Sequence, residues 1–309
     1  MLSDLTLVLI AAPGSGNLSE TIVAKALRAA RSCHGGRGGA CVRWLSPSEA
    51  WDARIETAAG VSDVRAAVER AVSSYPVDFA VLRSDAGPRK ALLCADMEST
   101  IIEQEMLDEM ADLVGCRSEI EAITKAAMRG EIDFEGSLAR RVALFAGLDV
   151  HALDPLMERI TLMPGAEALI KTLSANGCHT ALVTGGFTIF AEPVAKRLGF
   201  DTVVANVLEV DNGRLTGRVV PPVVGPATKA ETLARLAETH AITSTQTLAA
   251  GDGANDAAML AAAGLGVAFR AKPNLAAQAR AAENGAVVRH GDLTALLYLQ
   301  GYTRENFVS

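Results

Sequence analysis

The stretch Ala91-Leu92-Leu93-Cys94-Ala95-Asp96-Met97-Glu98-Ser99-Thr100 decides how this chain is read. A short apolar run that delivers a carboxylate into a small, hydroxyl-bearing turn predicts a buried strand ending in a nucleophile. Glu98, two residues on, adds a candidate proton donor for the same bond. Taken alone, Asp96–Thr100 reads more readily as an ordinary turn, because carboxylates near a strand end are usually turn formers. The rest of the chain has to separate the two readings.

Downstream, apolar runs at Thr180–Thr184, Thr202–Ala205, Thr247–Ala250 and Gly264–Ala268 alternate with segments of helical spacing. Together with Ala91–Ala95 they predict an α/β core, a Rossmann-like parallel sheet with helices on both faces. Between the first two runs, from about 105 to 160, the sequence is helical and charge-rich with no strand of its own, which predicts an inserted helical cap. Ligands of open parallel sheets bind beyond the carboxyl ends of the strands. Four features fall at such ends: Asp96 with Glu98, Thr184-Gly185-Gly186-Phe187, Lys229 at a helix start, and Gly251-Asp252-Gly253-Ala254-Asn255-Asp256. Each has a plain alternative as a turn, a loop or a solvated helix residue. Their order and type together are more specific than any one of them.

Upstream of Lys90 the texture differs. Leu5–Ala12, Cys41–Leu45, Arg54–Thr57 and Val77–Leu82 read as strands, and Ser19–Arg31 and Val61–Ser74 as helices. Gly35-Gly36-Arg37-Gly38-Gly39 reads as a flexible turn, Gly14–Asn17 as a loop leading to a helix capped at Ser19, and Asp85-Ala86-Gly87-Pro88 as a break. The order β-α-β-β-α-β predicts a small ferredoxin-like α+β domain over residues 1–85, followed by the core over 90–309.

Composition narrows the function classes. The chain has 309 residues, 50% of them hydrophobic and 21% charged, as in folded proteins with a large core. A net charge of −7 without a basic stripe argues against nucleic acid as a partner, though not against a small anionic substrate held locally by cations. Five cysteines without a Cys-x-x-Cys pair point to reduced thiols and a cytoplasmic protein. Leu5–Ala12 is too short to span a bilayer, and no membrane partner is expected. The pattern allows a homodimer.

The four strand-end motifs resemble those of the haloacid-dehalogenase-like (HAD) phosphatases. Within that superfamily the likeness is closest to the phosphoserine phosphatase family, and the N-terminal order resembles an ACT-type domain. The likeness runs from Lys90 to Arg289 and continues in the cap through Glu105, Met128-Arg129-Gly130-Glu131-Ile132-Asp133-Phe134-Glu135 and Arg140-Arg141-Val142. It implies a Mg²⁺-dependent hydrolysis of O-phospho-L-serine, with Asp96 as nucleophile and Glu98 as general acid and base. It also implies a metal held by Asp96, Asp252 and the Glu98 carbonyl, with Asp256 behind it. Thr184, Gly185, Lys229 and Asn255 would hold the phosphate. Glu105 would take the ammonium and Arg141 the carboxylate, with Met128 and Phe134 packed alongside. One position departs from the pattern: the family usually carries aspartate where this chain has Glu98. Two other readings stay open here, a phosphatase for a related small amine or amino acid such as phosphohomoserine or phosphoethanolamine, and a silent amino-acid-binding protein.

Overall fold

The computed structural model of the chain describes residues 3–33, 41–84 and 87–308, apart from the side chains of Ser3 and Met128. The glycine-rich turn at 35–39 and the first half of the break at 85–88 lie outside the described residues.

The N-terminal part runs β1 (Ser3–Ala11), α1 (Glu20–Arg31), β2 (Val42–Ser46), β3 (Ala50–Thr57), α2 (Val61–Val72) and β4 (Val77–Arg83). Its strands form an antiparallel sheet in the order β2-β3-β1-β4, the ferredoxin-like arrangement. Strand alternation explains its layers. Leu5, Leu7, Leu9 and Ala11 point to the apolar stripes of α1 and α2, where Ile22, Ala26, Val64 and Val68 complete one core. Val8 and Ile10 point the other way and join the main core with Tyr298, Leu299 and Tyr302. Ser19 sits at the start of α1 as expected, but its side chain makes no capping bond.

The second part begins with β5 (Leu92–Ala95), followed by the cap helices α3 (Met106–Val114), α4 (Arg117–Met128), α5 (Phe134–Ala143) and α6 (Asp154–Glu158). Then come α7 (Ala166–Ala175), β6 (His179–Phe187), α8 (Thr188–Leu198), β7 (Thr202–Asp211), β8 (Arg214–Val220), α9 (Pro226–Thr239) and β9 (Thr247–Gly251). The chain closes with α10 (Ala257–Ala262), β10 (Leu265–Phe269), α11 (Pro273–Ala281), β11 (Gly285–Val288) and α12 (Ala295–Tyr298). The sheet order is β11-β10-β9-β5-β6-β7-β8, parallel throughout except for β8. In the central strand, Leu93 and Ala95 face the layer of α7 and α8, while Leu92 and Cys94 face α9, α10 and α11. A strand buried on both faces has to be apolar throughout, which is why Leu92–Ala95 reads as a run without alternation.

Two strands went unpredicted. β8 is an edge strand with an exposed Val220 and few buried positions, too weak a pattern to register. Its connection to β7 is nevertheless marked, because Asn212 and Gly213 both take positive φ (48° and 78°), the requirement of a tight hairpin turn. β11 has only four residues and opens on glycine.

Two buried charges fasten the N-terminal sheet to the core. The Arg65 guanidinium donates to the carbonyls of Arg280 (2.6 Å), Ala282 (2.7 Å), Glu283 and Gly285 (both 3.2 Å) around the end of α11. Asp78 accepts from the backbone N–H groups of Arg289 (2.9 Å), His290 (2.9 Å) and Gly291 (2.8 Å) just past β11.

Candidate active site

β5 and β9 lie side by side, with Ala95 paired to Ala250, so their carboxyl ends place Asp96 beside Asp252. The turn after β9 brings Asp256 back into the same space: oxygens of Asp96, Asp252 and Asp256, all buried, lie within 4.8 Å of one another. The fold makes room for this by removing a side chain. A Cβ on Gly251 would sit 2.4 Å from Asp256 Oδ2, so no other residue is accommodated there.

Lys229 enters from the first turn of α9 and is 1% exposed. Its ammonium lies 2.8 Å from Asp96 Oδ1 and 2.7 Å from Asp256 Oδ1. Burial acts to lower its pKa, but Asp96 and Asp256 more than reverse this, so the amine is held above the usual lysine range. Asp256 has both oxygens engaged, the second accepting from Gly253 N at 3.1 Å. Asn255 reaches Asp96 Oδ2 and Asp256 Oδ1 through Nδ2, at 3.4 Å each. Thr184, fully buried at the end of β6, accepts from Gly186 N at 2.9 Å, which fixes the turn holding Gly185.

Glu98 spans core and cap. Its Oε1 accepts from the N–H of Met106, the first residue of α3, at 2.9 Å. Burial, then Glu105, then Asp96 push this carboxyl up to about 8, against the opposing pull of that N–H and of Lys229. Asp252 is raised first by burial, with Lys272 opposing at 3.3 Å and Asp96 adding to the shift. Asp256 is raised by burial and by Asp96. Glu105 is also raised by desolvation and receives a 2.9 Å hydrogen bond from the Ser99 hydroxyl. Arg141 is lowered by desolvation, with Glu98, Asp108 and Glu105 opposing, and its Nε donates to Ser137 O at 3.3 Å. Several titratable groups that shift one another mark a site built for ionic chemistry.

Phe134 opens α5 and descends from the cap onto two glycines. A Cβ on Gly185 would lie 3.6 Å from its Cζ, and one on Gly225 would lie 3.0 Å from its Cδ1. Met128 closes α4, and its side chain lies outside the described residues. Ion pairs, hydrogen bonds and electrostatic coupling thus link Asp96, Glu98, Glu105, Arg141, Lys229, Asp252, Asn255 and Asp256, and Phe134 lies over Gly185 next to Thr184.

Three residues of this pocket escaped the sequence reading. Asn206, fully buried, donates to Gly185 O (2.8 Å) and Val224 O (3.1 Å) and accepts from Val224 N (2.8 Å), tying the Thr184 turn to the approach to Lys229. It directly follows the run Thr202–Ala205, so the strand-end rule applied to that run would have flagged it. Lys272 stands just beyond β10 and could have been flagged in the same way. Ser99 takes a left-handed φ of 54° to reach Glu105, which nothing in the sequence signals.

The oxygen donor set suits a hard divalent cation. Three buried carboxylates face one buried ammonium, which leaves negative charge that a metal would neutralise, and no soft sulfur or imidazole donor belongs to the cluster.

An open parallel sheet with Asp96, Thr184 and Asp252 toward the carboxyl ends of its strands and Lys229 at the start of α9, beneath a helical cap, defines a capped α/β hydrolase. The sequence model of the haloacid dehalogenase-like hydrolases matches residues 93–261, and the chain belongs to that family. A phosphoserine phosphatase of Streptomyces coelicolor is 44% identical over 243 residues, covering 78% of this chain; the match spans only 58% of that relative's length. Among solved structures, a HAD family hydrolase from Salmonella enterica serovar Typhi superposes with a TM-score of 0.82 at 26% identity, covering 96% of this chain and 98% of its own. A phosphoserine phosphatase solved as its phospho-aspartyl intermediate analogue superposes with a TM-score of 0.62 at 38% identity, covering 70% of this chain and all of its own. Among the described residues no helix is long and apolar enough to cross a membrane.

Proposed function

We propose that this chain is a Mg²⁺-dependent phosphatase that hydrolyses O-phospho-L-serine to serine and phosphate, the last step of serine synthesis. The observation that carries the reading is Asp96, with Lys229 2.8 Å from its Oδ1 and a raised Glu98 two residues away. Asp96 attacks phosphorus and forms an aspartyl phosphate, which splits one difficult displacement into two. Lys229, Thr184, the Gly185 N–H and Asn255 hold the phosphoryl oxygens in line and offset their charge. Glu98, carrying a proton at neutral pH, donates it to the leaving serine oxygen and then takes one from the water that cleaves the intermediate. When bound, Mg²⁺ supplies electrostatic neutralisation of the phosphoryl group, held by Asp96, Asp252 and the Glu98 carbonyl. Asp256 holds Lys229 in place and stands behind the metal.

In the cap, Glu105 pairs with the substrate ammonium and the planar guanidinium of Arg141 with its carboxylate, while Met128 and Phe134 exclude water. We divide the chain into an ACT-like, ferredoxin-like domain over 1–85 and a HAD-like core over 90–309 with its cap at about 105–160. The chain fits a cytoplasmic protein, and a homodimer remains part of the proposal. Arg141→Ala tests the substrate assignment. It is expected to cut kcat/KM for phosphoserine by at least about a hundredfold, the worth of a charge-assisted pair. Phosphoethanolamine, which has no carboxylate, should be turned over no worse than before; an equal loss on both substrates would remove Arg141 from carboxylate recognition.

A further inference from the structure

At the end of the parallel sheet opposite Asp96, a cleft of about 1010 Å³ opens between the N-terminal sheet and the core. Arg43, Asp52 and Arg54 line it from β2 and β3, and Lys90, Thr245 and Asn284 line it from the amino ends of β5, β9 and β11. Its size and its place between two structural units are those of small-molecule sites. Among the described residues on its walls, Lys and Arg outnumber carboxylates by five to two, in a chain whose net charge is −7.

Arg43 is matched by Asp52 at 2.7 Å. Lys90 is 8% exposed, and among the described residues its ammonium donates to neutral carbonyls, Thr245 O at 2.8 Å and Gly87 O at 3.5 Å, with no carboxylate paired to it. A buried ammonium favours a nearby anion, because desolvation penalises its charged form. Val8, Leu82 and Leu299 add an apolar wall. We propose that this cleft binds a small organic anion, its charge met by Lys90 and Arg54 and its apolar body by Val8, Leu82 and Leu299. Lys90 lies two residues before β5, and β5 runs straight from the cleft to Asp96, roughly 20 Å away at strand spacing. An occupant is thus placed to bear on the strand that carries Asp96. The proposal is independent of the reaction assigned to Asp96.

The test uses sodium butyrate as the probe, on the full chain at constant ionic strength, read by calorimetry and tryptophan fluorescence. Both tryptophans of the chain, Trp44 and Trp51, lie in the N-terminal sheet on the face opposite the cleft, so a fluorescence change reports a shift of that sheet and not an event at Asp96, while calorimetry reads the binding itself. Saturable binding that weakens at least tenfold in both Arg54→Ala and Lys90→Met is expected, with turnover in the absence of butyrate unchanged in Arg54→Ala. Arg54 is exposed, so its variant keeps the test sound if Lys90→Met fails to fold. No saturable signal, or a signal indifferent to Arg54→Ala, overturns the proposal. Sulfate binding as tightly as butyrate overturns the assignment of an organic ligand.

Discussion

At the scale of single residues, Glu98 bears the most weight. Its extra methylene relative to aspartate lets the carboxylate extend past Gly186, where a Cβ would lie 3.0 Å from Oε2, and meet the N–H of Met106. Glu98→Gln keeps that shape and removes the titrating proton. We expect turnover to fall by at least about a thousandfold, the upper range for general acid–base groups, with Mg²⁺ affinity measured by calorimetry within a few-fold of the parent. The raised carboxyls also set the pH dependence of stability. Glu98 moves from an ordinary 4.5 to about 8 on folding, so between those values the folded, metal-free protein holds a proton that the unfolded chain has released. Its contribution is fully present below about 4.5 and is lost as pH rises through about 8. Glu105, Asp252 and Asp256 shift in the same direction. The metal-free protein should therefore melt lower at pH 8.5 than at pH 6, and Mg²⁺ should raise the melting temperature more at the higher pH. Thermal scans with and without EDTA check both signs.

At the scale of elements, the sequence disclosed what depends on local pattern and concealed what depends on assembly. Leu92–Ala95 was legible as a central strand because burial on both faces demands an unbroken apolar run. Asp96, Thr184, Lys229 and Asp252 were legible because strand ends in a parallel sheet are where chemistry collects. β8 was not, since an edge strand needs few buried residues and leaves little pattern behind. Nor was Asn206, whose role appears only once Gly185 and Val224 are seen to meet across it. Replacing it with leucine leaves the Val224 N–H and two carbonyls without their partners. That change should cost about 2–4 kcal/mol of stability by denaturant titration, at roughly 1–3 kcal/mol per buried unpaired group with partial relaxation. Gly225 offers a milder test of the cap. A methyl group there meets the Phe134 ring at 3.0 Å, so Gly225→Ala should raise KM for substrate through displacement of Phe134, while global stability changes little.

At the scale of the whole molecule, the N-terminal sheet is fastened to the core and not merely tethered to it. Asp78 and Arg65 each bury a charge that is hydrogen-bonded across the junction to backbone groups of the segment 280–291. Removing one such charge leaves several backbone groups unsatisfied. Asp78→Ala should destabilise the chain by about 3 kcal/mol, the lower range for breaking a buried ionic contact, in a single cooperative transition if both sheets unfold together. A two-step transition would show instead that the sheets are stable apart. The sequence suggested two units with a break between them. It held no sign of this fastening, because Arg65 and Asp78 look like ordinary surface residues until the carbonyls and N–H groups around them are in place.

We propose that Asp96 and its neighbours form a metal-assisted phosphatase for phosphoserine. Phosphate release from L-phosphoserine, measured with Mg²⁺ and with excess EDTA beside phosphothreonine, phosphohomoserine and phosphoethanolamine, tests it most directly. Release is expected to require Mg²⁺ and to be fastest by far on phosphoserine. A folded, Mg²⁺-loaded protein that released phosphate from none of the four would contradict it.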